Sequence, residues 1–281
     1  MDILPSTDWL AEEAEANGIK VVDATYFLPE TGRDAAADYA AAHIPGALYL
    51  DLTGLSDAAS PLPNTLPPAE QFANRLAALG LDRDSRIIFY DNSPHRTAAC
   101  AWWMFRLFGI HNVAILDGGF GKWQAEGRPV ESGTPASPRS TAVEVEPNMT
   151  TLRTKAQVAA ALAADDAVVV DARGAGRFTG EEAEPRPEIA SGHMPGARNL
   201  PYARFFHPDG TWKRGEELRA LFVEAGVDLN RPIITTCGSG ITAAVLLFGA
   251  ALLGKTDVAL YDGSWTEWGA DPATAKATGP A

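Results

Sequence analysis

The chain has 281 residues, 46% of them hydrophobic and 21% charged, a composition typical of a folded protein with room for two domains. Its formal net charge is −13, and such an acidic surface argues against nucleic acid or an anionic membrane as the main partner. Its two cysteines, Cys100 and Cys237, are too few for a disulfide-stapled secreted domain.

The amino-terminal residues 1–8 contain no basic segment followed by an apolar core, so we expect no secretory signal. No run approaches the ~18 continuous apolar residues of a membrane-spanning helix. With so few cysteines, we expect reduced thiol chemistry in the cytoplasm. No cluster of Cys or His has the spacing of metal ligands, so we expect no metal site.

The sequence contains an internal repeat. Four segments of the first half recur in the same order in the second: 21–24 as 169–172, 42–47 as 192–197, 86–88 as 232–234 and 117–123 as 262–268. Four ordered matches predict two copies of one domain. We place the first copy at residues 1–132 and the second at residues 151–281. Residues 133–150, rich in Pro and Ser at their start, are predicted to form a linker.

Short apolar runs alternate with helical patterns along the second copy. In chain order the predicted elements are a helix over 156–164, a strand over 167–171, a helix over 215–225, a strand over 231–236, a helix over 241–253 and a strand over 257–261. This alternation predicts an α/β fold of two tandem domains, each with a mainly parallel central sheet flanked by helices. Binding sites in such sheets form outside the carboxyl ends of the strands.

A cysteine follows the predicted strand 231–236 and opens a loop of small residues before the next helix. Cys237 is thereby placed at the amino end of that helix, where backbone N–H groups stabilise a thiolate. Gly238 and Gly240 let the loop curl so that several amides can point at one sulfur. The alternative is a buried core cysteine beside a glycine turn. The first copy carries Asp91 at the equivalent position, so we predict a single nucleophile.

These motifs give the chain a resemblance, over essentially its whole length, to the two-domain rhodanese-type sulfurtransferases. The His-Ile-Pro-Gly-Ala motif at 43–47, the Asp-Gly-Gly-Phe and Asp-Gly-Ser-Trp motifs and a cysteine loop confined to the second half all match. The loop Cys-Gly-Ser-Gly-Ile-Thr is similar to that of the 3-mercaptopyruvate sulfurtransferases. Thiosulfate-preferring relatives tend to carry basic residues at the second and third loop positions, which here are Gly238 and Ser239.

The resemblance implies two rhodanese-like domains and a mechanism that passes through a persulfide on Cys237. The thiolate takes sulfur from 3-mercaptopyruvate, pyruvate leaves, and an acceptor such as thioredoxin, a small thiol or cyanide removes the sulfur. Ser239 is implied as a proton relay, and no cofactor is required. The other loop residues are implied as substrate-binding groups, namely Gly238, Gly240, Ile241 and Thr242.

Two arginines in segment 176–186 resemble those that hold the carboxylate and the carbonyl of mercaptopyruvate in this family. Arg177 and Arg186 suit this role because guanidinium groups bind carboxylates through two parallel hydrogen bonds and stay charged. The charge pattern alone favours another interpretation, in which both are solvated surface groups paired with neighbouring glutamates. With the loop included, we favour substrate binding. The neighbouring glutamates are Glu181, Glu182 and Glu184.

The sequence departs from the family in one respect. Mercaptopyruvate enzymes often have an Asp and a His in the first domain, proposed to form a triad with the loop serine. Alignment on the motif at 43–46 puts Thr53 and Asn64 at those places, which leaves Ser239 without that histidine. His95 and His207 are the substitutes that the sequence offers.

Other functions are weighed against this one. A thiosulfate sulfurtransferase is the nearest alternative. A phosphatase of the same fold needs an arginine six positions after the cysteine, and that position is Ala243. A non-catalytic binding or redox-sensing module would oxidise Cys237 instead of loading it with sulfur. Structural roles are predicted for the remaining notable side chains: packing for Cys100, Trp123 and Trp268, and turn formation for His43 and His193.

Overall fold

The computed structural model describes residues 1–13, 18–134 and 143–281. Residues 135–142 of the predicted linker lie outside the described residues. The chain forms two compact units. So far as they are described, the first unit comprises residues 1–57, 66–148 and 206–212, and the second comprises residues 58–65, 149–205 and 213–281. Each half of the sequence therefore contributes one short segment to the unit built mainly from the other half.

The first unit is built on a parallel sheet. Its strands are β1 Ile19–Asp23, β2 Leu48–Tyr49, β3 Arg86–Tyr90 and β4 Val113–Ile115. The strand order is β2-β1-β3-β4, and every neighbouring pair is parallel. Its described α-helices are α1 Thr7–Glu13, α2 Ala35–Ala41, α3 Ala69–Ala78, α4 Ala98–Leu107 and α5 Gly119–Ala125. Single 3-10 turns lie at Pro29–Thr31 and Thr53–Leu55.

The second unit repeats this plan with one more strand. Its strands are β5 Leu152–Arg153, β6 Val168–Asp171, β7 Arg198–Asn199, β8 Ile233–Thr236 and β9 Val258–Tyr261, in the order β5-β9-β8-β6-β7. All of these pairs are parallel. Its α-helices are α6 Lys155–Ala164, α7 Ala175–Thr179, α8 Gly215–Glu224, α9 Ala243–Leu252 and α10 Ser264–Ala270, with 3-10 turns at Met149–Thr151 and Tyr202–Phe205. The predicted α/β fold with mainly parallel sheets is confirmed.

The central strand of the second unit and the helix after it are buried, which fixes the loop between them. Every residue of β8 is buried, and the β-branched Ile233 and Ile234 suit a strand covered on both faces. Eight of the ten residues of α9 are buried, as expected of a helix that is apolar all round. No helix in the described ranges is long and apolar enough to cross a membrane.

The two units use the same local supports, as a repeat should. The ring of His43 stacks on Tyr39 with 4.1 Å between centroids, and that of His193 stacks on Phe178 at 3.9 Å. Each Nδ1 also hydrogen-bonds the carbonyl oxygen of the stacked residue, at 2.8 Å and 2.9 Å. Both histidines therefore hold a buried turn in the same way. Three further side chains predicted to pack are also buried, namely Cys100, Trp123 and Trp268.

Candidate active site

The loop of residues 237–242 joins β8 to α9 and places Cys237 at the carboxyl edge of the sheet. Cys237 is 2% exposed, and Thr242 is the capping residue at the start of α9. Gly240 has a left-handed φ of +87°, and a Cβ there would lie 3.1 Å from the carbonyl oxygen of Asp262. Both the backbone conformation and this close approach favour glycine at 240.

The carbonyl groups of Cys237 and Gly238, at the start of the loop, accept hydrogen bonds from α10. Cys237 O accepts from Trp265 N at 2.9 Å, and Gly238 O accepts from Thr266 N at 2.9 Å. Across the described ranges, the amide N–H groups of residues 238–242 have no hydrogen-bond acceptor. Successive unbound amides in a tight loop form a concavity suited to an anion, and Cys237 is the loop side chain able to carry one.

Ser264 fixes the backbone where the loop begins. Its Oγ accepts from Cys237 N at 3.2 Å and donates to Tyr261 O at 2.8 Å. Ser264 is fully buried and has a φ of +48°, a left-handed conformation that is uncommon for serine. Gly119 occupies the equivalent position of the first unit with a φ of +59°. The second unit therefore keeps a hydroxyl where the first has no side chain.

Arg177 lies against the loop and is held there by a buried ion-pair network. A Cβ on Gly238 would lie 3.0 Å from Arg177 Nη2, so the guanidinium covers this loop position. Glu184 accepts from Arg177 Nε at 3.3 Å and from Arg173 Nη1 at 2.6 Å. Arg173 in turn pairs with Asp171 at 2.6 Å. Arg177 thus has a glutamate partner, as the charge pattern suggested, yet it lies on the loop.

Arg186 reaches the same loop position through a threonine. Its Nη1 donates to Thr266 Oγ1 at 2.9 Å, and that hydroxyl donates to Gly238 O at 2.7 Å. In the part of the chain that the structure describes, Arg186 has no carboxylate partner. The structure therefore brings both predicted arginines to Gly238, and among the described residues no ion pair offsets the charge of Arg186.

Ser239 contacts an amide instead of a histidine. Its Oγ accepts a hydrogen bond from Asn64 Nδ2 at 3.0 Å. Asn64 lies in segment 58–65, which packs as part of the second unit. The sequence-based substitutes, His95 and His207, both belong to the first unit.

In the first unit, Asp91 takes the place of Cys237 and binds its own loop. Its carboxylate accepts from Ser93 N at 3.0 Å and from Ala98 N at 2.8 Å. Ala98 is the first residue of α4, so the carboxyl group of Asp91 already lies at the amino end of that helix. Burial raises the pKa of Asp91, and the positive charge of Arg96 acts in the opposite direction. The first unit therefore has a carboxyl group bound to its own loop at the position where the second unit has a thiol.

Three residues that hold the site are absent from the sequence-based candidates: Glu184 as a support, Ser264 and Thr266. From sequence, the Asp-Gly-Ser-Trp motif at 262–265 contributes to the repeat and to the family resemblance, and no role is assigned to its serine. The signal for Ser264 lies in comparing the two copies, since Gly119 is replaced by a residue with a hydroxyl. No group of three or more His, Cys, Asp or Glu side chains suited to a metal occurs among the described residues.

Comparison with known proteins places the chain among sulfurtransferases. The rhodanese-like domain model matches residues 6–126 and 154–271. The 3-mercaptopyruvate sulfurtransferase of Rattus norvegicus is 41% identical over 94% of this chain and 91% of the rat protein. The thiosulfate sulfurtransferase of Bos taurus is 40% identical over 94% of this chain and 91% of its own length. The crystal structure of the 3-mercaptopyruvate sulfotransferase SseA from Escherichia coli has a TM-score of 0.86 at 38% identity, covering 94% of this chain and 99% of that one.

Proposed function

The chain belongs to the rhodanese-like domain family, and we propose that it is a 3-mercaptopyruvate sulfurtransferase. Relatives named for 3-mercaptopyruvate and for thiosulfate are 41% and 40% identical to it, so overall similarity does not choose the sulfur donor. The choice rests on the loop of residues 237–242 and on the charges around it.

The observation that carries the proposal is the position of Arg177 over Gly238. The guanidinium occupies the space into which a side chain at 238 would extend, so positive charge reaches the loop from outside it. Ser239, the next residue, is neutral. A donor with one carboxylate and one carbonyl matches two guanidinium groups beside a neutral loop. The dianion thiosulfate is better matched by basic side chains within the loop.

The first half-reaction is proposed to load Cys237 with sulfur. The Cys237 thiolate attacks the donor thiol, a sulfur–sulfur bond forms, and the carbon–sulfur bond of the donor breaks. The released electron pair passes to the methylene carbon and is shared with the adjacent carbonyl oxygen as the enolate of pyruvate. The donor thiol's proton, or one from water, completes the methyl group. Arg177 and Arg186 hold the carboxylate and the carbonyl oxygen, and Ser239 provides a hydroxyl to the enolate.

The second half-reaction is proposed to unload the outer sulfur. A thiolate of thioredoxin or of a small thiol, or cyanide, attacks that sulfur, and the Cys237 thiolate is released. The unbound amides of residues 238–242 support this cycle because they can stabilise the thiolate and the persulfide anion alike. We place the protein in the cytoplasm, where acceptor thiols are kept reduced.

Intact-mass spectrometry tests the proposal. The wild-type protein should gain one sulfur from 3-mercaptopyruvate and none from thiosulfate. The gain should vanish in Cys237→Ser and persist in Cys100→Ser, a matched control because Cys100 is buried within α4. Loading by thiosulfate alone would reassign the donor. Oxygen adducts on Cys237 without sulfur would instead indicate a redox-sensing module, and no sulfur adduct with either donor would refute sulfur transfer.

A further inference from the structure

The hydroxyl of Ser239 has a hydrogen-bond donor as its partner. Asn64 Nδ2 lies 3.0 Å from Ser239 Oγ, and an amide nitrogen donates, so the hydroxyl oxygen accepts. A serine hydroxyl has one proton and two lone pairs. Over the described ranges, no acceptor for that proton is present. The proton of Ser239 is therefore available to a bound substrate.

The backbone of segment 58–65 fixes the amide of Asn64. Asn64 has a φ of +58°, a left-handed conformation that asparagine tolerates better than most side chains. The preceding turn is closed by a hydrogen bond from Leu62 N to Ser60 Oγ at 3.1 Å. Asn64 and Ser239 are both half-buried, which limits competition from water for their hydrogen bond. The backbone conformation of segment 58–65 therefore places the Asn64 amide within hydrogen-bond distance of Ser239.

We propose that Asn64 is a positioning residue that orients Ser239 as a fixed hydrogen-bond donor to the oxygen on which enolate charge develops. This inference rests on the proposed function. Ser239 keeps its proton in this step. As the carbon–sulfur bond breaks and its electron pair reaches the carbonyl oxygen, the hydrogen bond from Ser239 strengthens and lowers the barrier. The proton that completes pyruvate comes from the donor thiol or from water.

The pair of Asn64 and Ser239 contributes no ionisation to the pH profile of the wild-type enzyme, because neither side chain titrates in the working range. The ionisable groups that meet the loop in the described structure are Cys237 itself, Arg177 against Gly238, Arg186 through Thr266, and Asp262 against Gly240. A carboxyl group at position 64 would add one ionisation to this set.

Asn64→Asp tests the direction of the hydrogen bond. The new side chain has the same shape and tolerates the left-handed backbone. Its carboxylate can only accept hydrogen bonds, so the Ser239 hydroxyl would donate to it instead of to the substrate. We expect kcat with 3-mercaptopyruvate to fall by about 100-fold near neutral pH, with little change in KM. As the pH falls towards about 4, the protonated carboxyl can donate again, so the ratio of variant to wild-type kcat should rise.

Three companion variants isolate the effect. Asn64→Gly keeps the left-handed backbone and removes the amide, so it should lower kcat with no new pH dependence. Ser239→Ala should lower kcat by about 100-fold, and Ser239→Thr should restore much of it by returning a hydroxyl. Adding Asn64→Asp to Ser239→Ala should cause no further loss if the two residues act as one unit. Thermal unfolding is measured alongside to confirm that each variant is folded.

The proposal is overturned if folded Asn64→Asp is as active as wild type near neutral pH. A carboxylate at position 64 can only accept a hydrogen bond from Ser239, so full activity would show that Ser239 does not need to donate to the substrate. The proposal is also overturned if Ser239→Ala leaves kcat unchanged. Persulfide formation on Cys237 of the wild-type protein is measured first by intact mass. Failure of that measurement counts against the proposed function, whereas the orientation proposal is decided by comparing variants of an enzyme that turns over.

Discussion

The hydroxyl of Ser264 lies 3.2 Å from the amide nitrogen of Cys237 and links this residue to the segment after β9. The same oxygen donates to Tyr261 O at 2.8 Å and lies 3.3 Å from Thr236 Oγ1. These contacts offset a left-handed φ of +48°. That conformation costs a non-glycine residue about 1 kcal/mol. The strained backbone at Ser264 therefore allows its hydroxyl to reach Cys237 N and hold the start of the loop in place.

Substituting Ser264 separates the strain from the hydroxyl. Both Ser264→Gly and Ser264→Ala remove the hydroxyl. The glycine variant also relieves the backbone strain, whereas the alanine variant keeps it. We expect both variants to form the Cys237 persulfide about 10-fold more slowly, measured by rapid quench and intact mass. The alanine variant should also have the lower thermal transition temperature. Wild-type rates in both variants would show that the Cys237 amide needs no support.

Gly238→Ala tests whether Arg177 must cover the second loop position. The added methyl would lie 3.0 Å from Arg177 Nη2, so the guanidinium must shift by a few tenths of an ångström. We expect KM for 3-mercaptopyruvate to rise by about 10-fold with kcat less affected. Gly174→Ala is the matched control, because a Cβ there meets no atom within 4 Å. An equal rise in KM in both variants would contradict the role given to Arg177.

The order of the main elements was predictable because their apolar patterns are local. The predicted helix over 156–164 is α6 at Lys155–Ala164, and the predicted strand over 231–236 is β8 at Ile233–Thr236. The strands β2 and β7 have two residues each, which is too short for a strand pattern to be recognised. They form through pairing with β1 and β6, a tertiary effect.

Candidate site residues could be proposed from the sequence where residue type alone signals chemistry. Cys237 stands out as a cysteine in a glycine loop, whereas the supporting contacts join distant positions. Asn64 and Ser239 are 175 positions apart, and Ser264 and Cys237 are 27 apart. Alignment placed Asn64 where related enzymes have a histidine, but it did not predict that the Asn64 amide would contact Ser239. Such contacts depend on how segments meet in the folded chain, and no local periodicity encodes them.

Thr266→Val tests the link between Arg186 and the loop. Valine has the same shape but lacks the hydroxyl that accepts from Arg186 Nη1 and donates to Gly238 O. Losing a hydrogen bond to a charged group should raise KM for 3-mercaptopyruvate by about 10-fold. Thr266→Ser restores the hydroxyl and should restore KM. A valine variant with wild-type KM would show that Arg186 is positioned by other contacts.

The buried carboxylates at the ends of β1 and β6 have different partners in the two units. Asp171 ends β6 and pairs with Arg173 at 2.6 Å. Asp23 ends β1, and Thr25 takes the position that Arg173 has after Asp171. The backbone amide of Thr25 donates to the Asp23 carboxyl at 2.8 Å, but Thr25 has no positive charge to pair with it. Burial raises the pKa of Asp23 to about 6, although its bonds to Thr25 act in the opposite direction.

Asp23→Asn should therefore stabilise the protein at neutral pH but not at acidic pH. The folded-state pKa of Asp23, about 6, exceeds the unfolded value of about 3.9, so folding favours its protonated form. The contribution of Asp23 to the free energy of unfolding is therefore largest below about pH 4, where the group is protonated in both states. This contribution falls by about 3 kcal/mol as the pH rises through about 6. Calorimetry should show a higher transition temperature than wild type at about pH 7.5 but not at about pH 4.5. The exposed Asp84→Asn is the control, and equal gains at both pH values would contradict this cause.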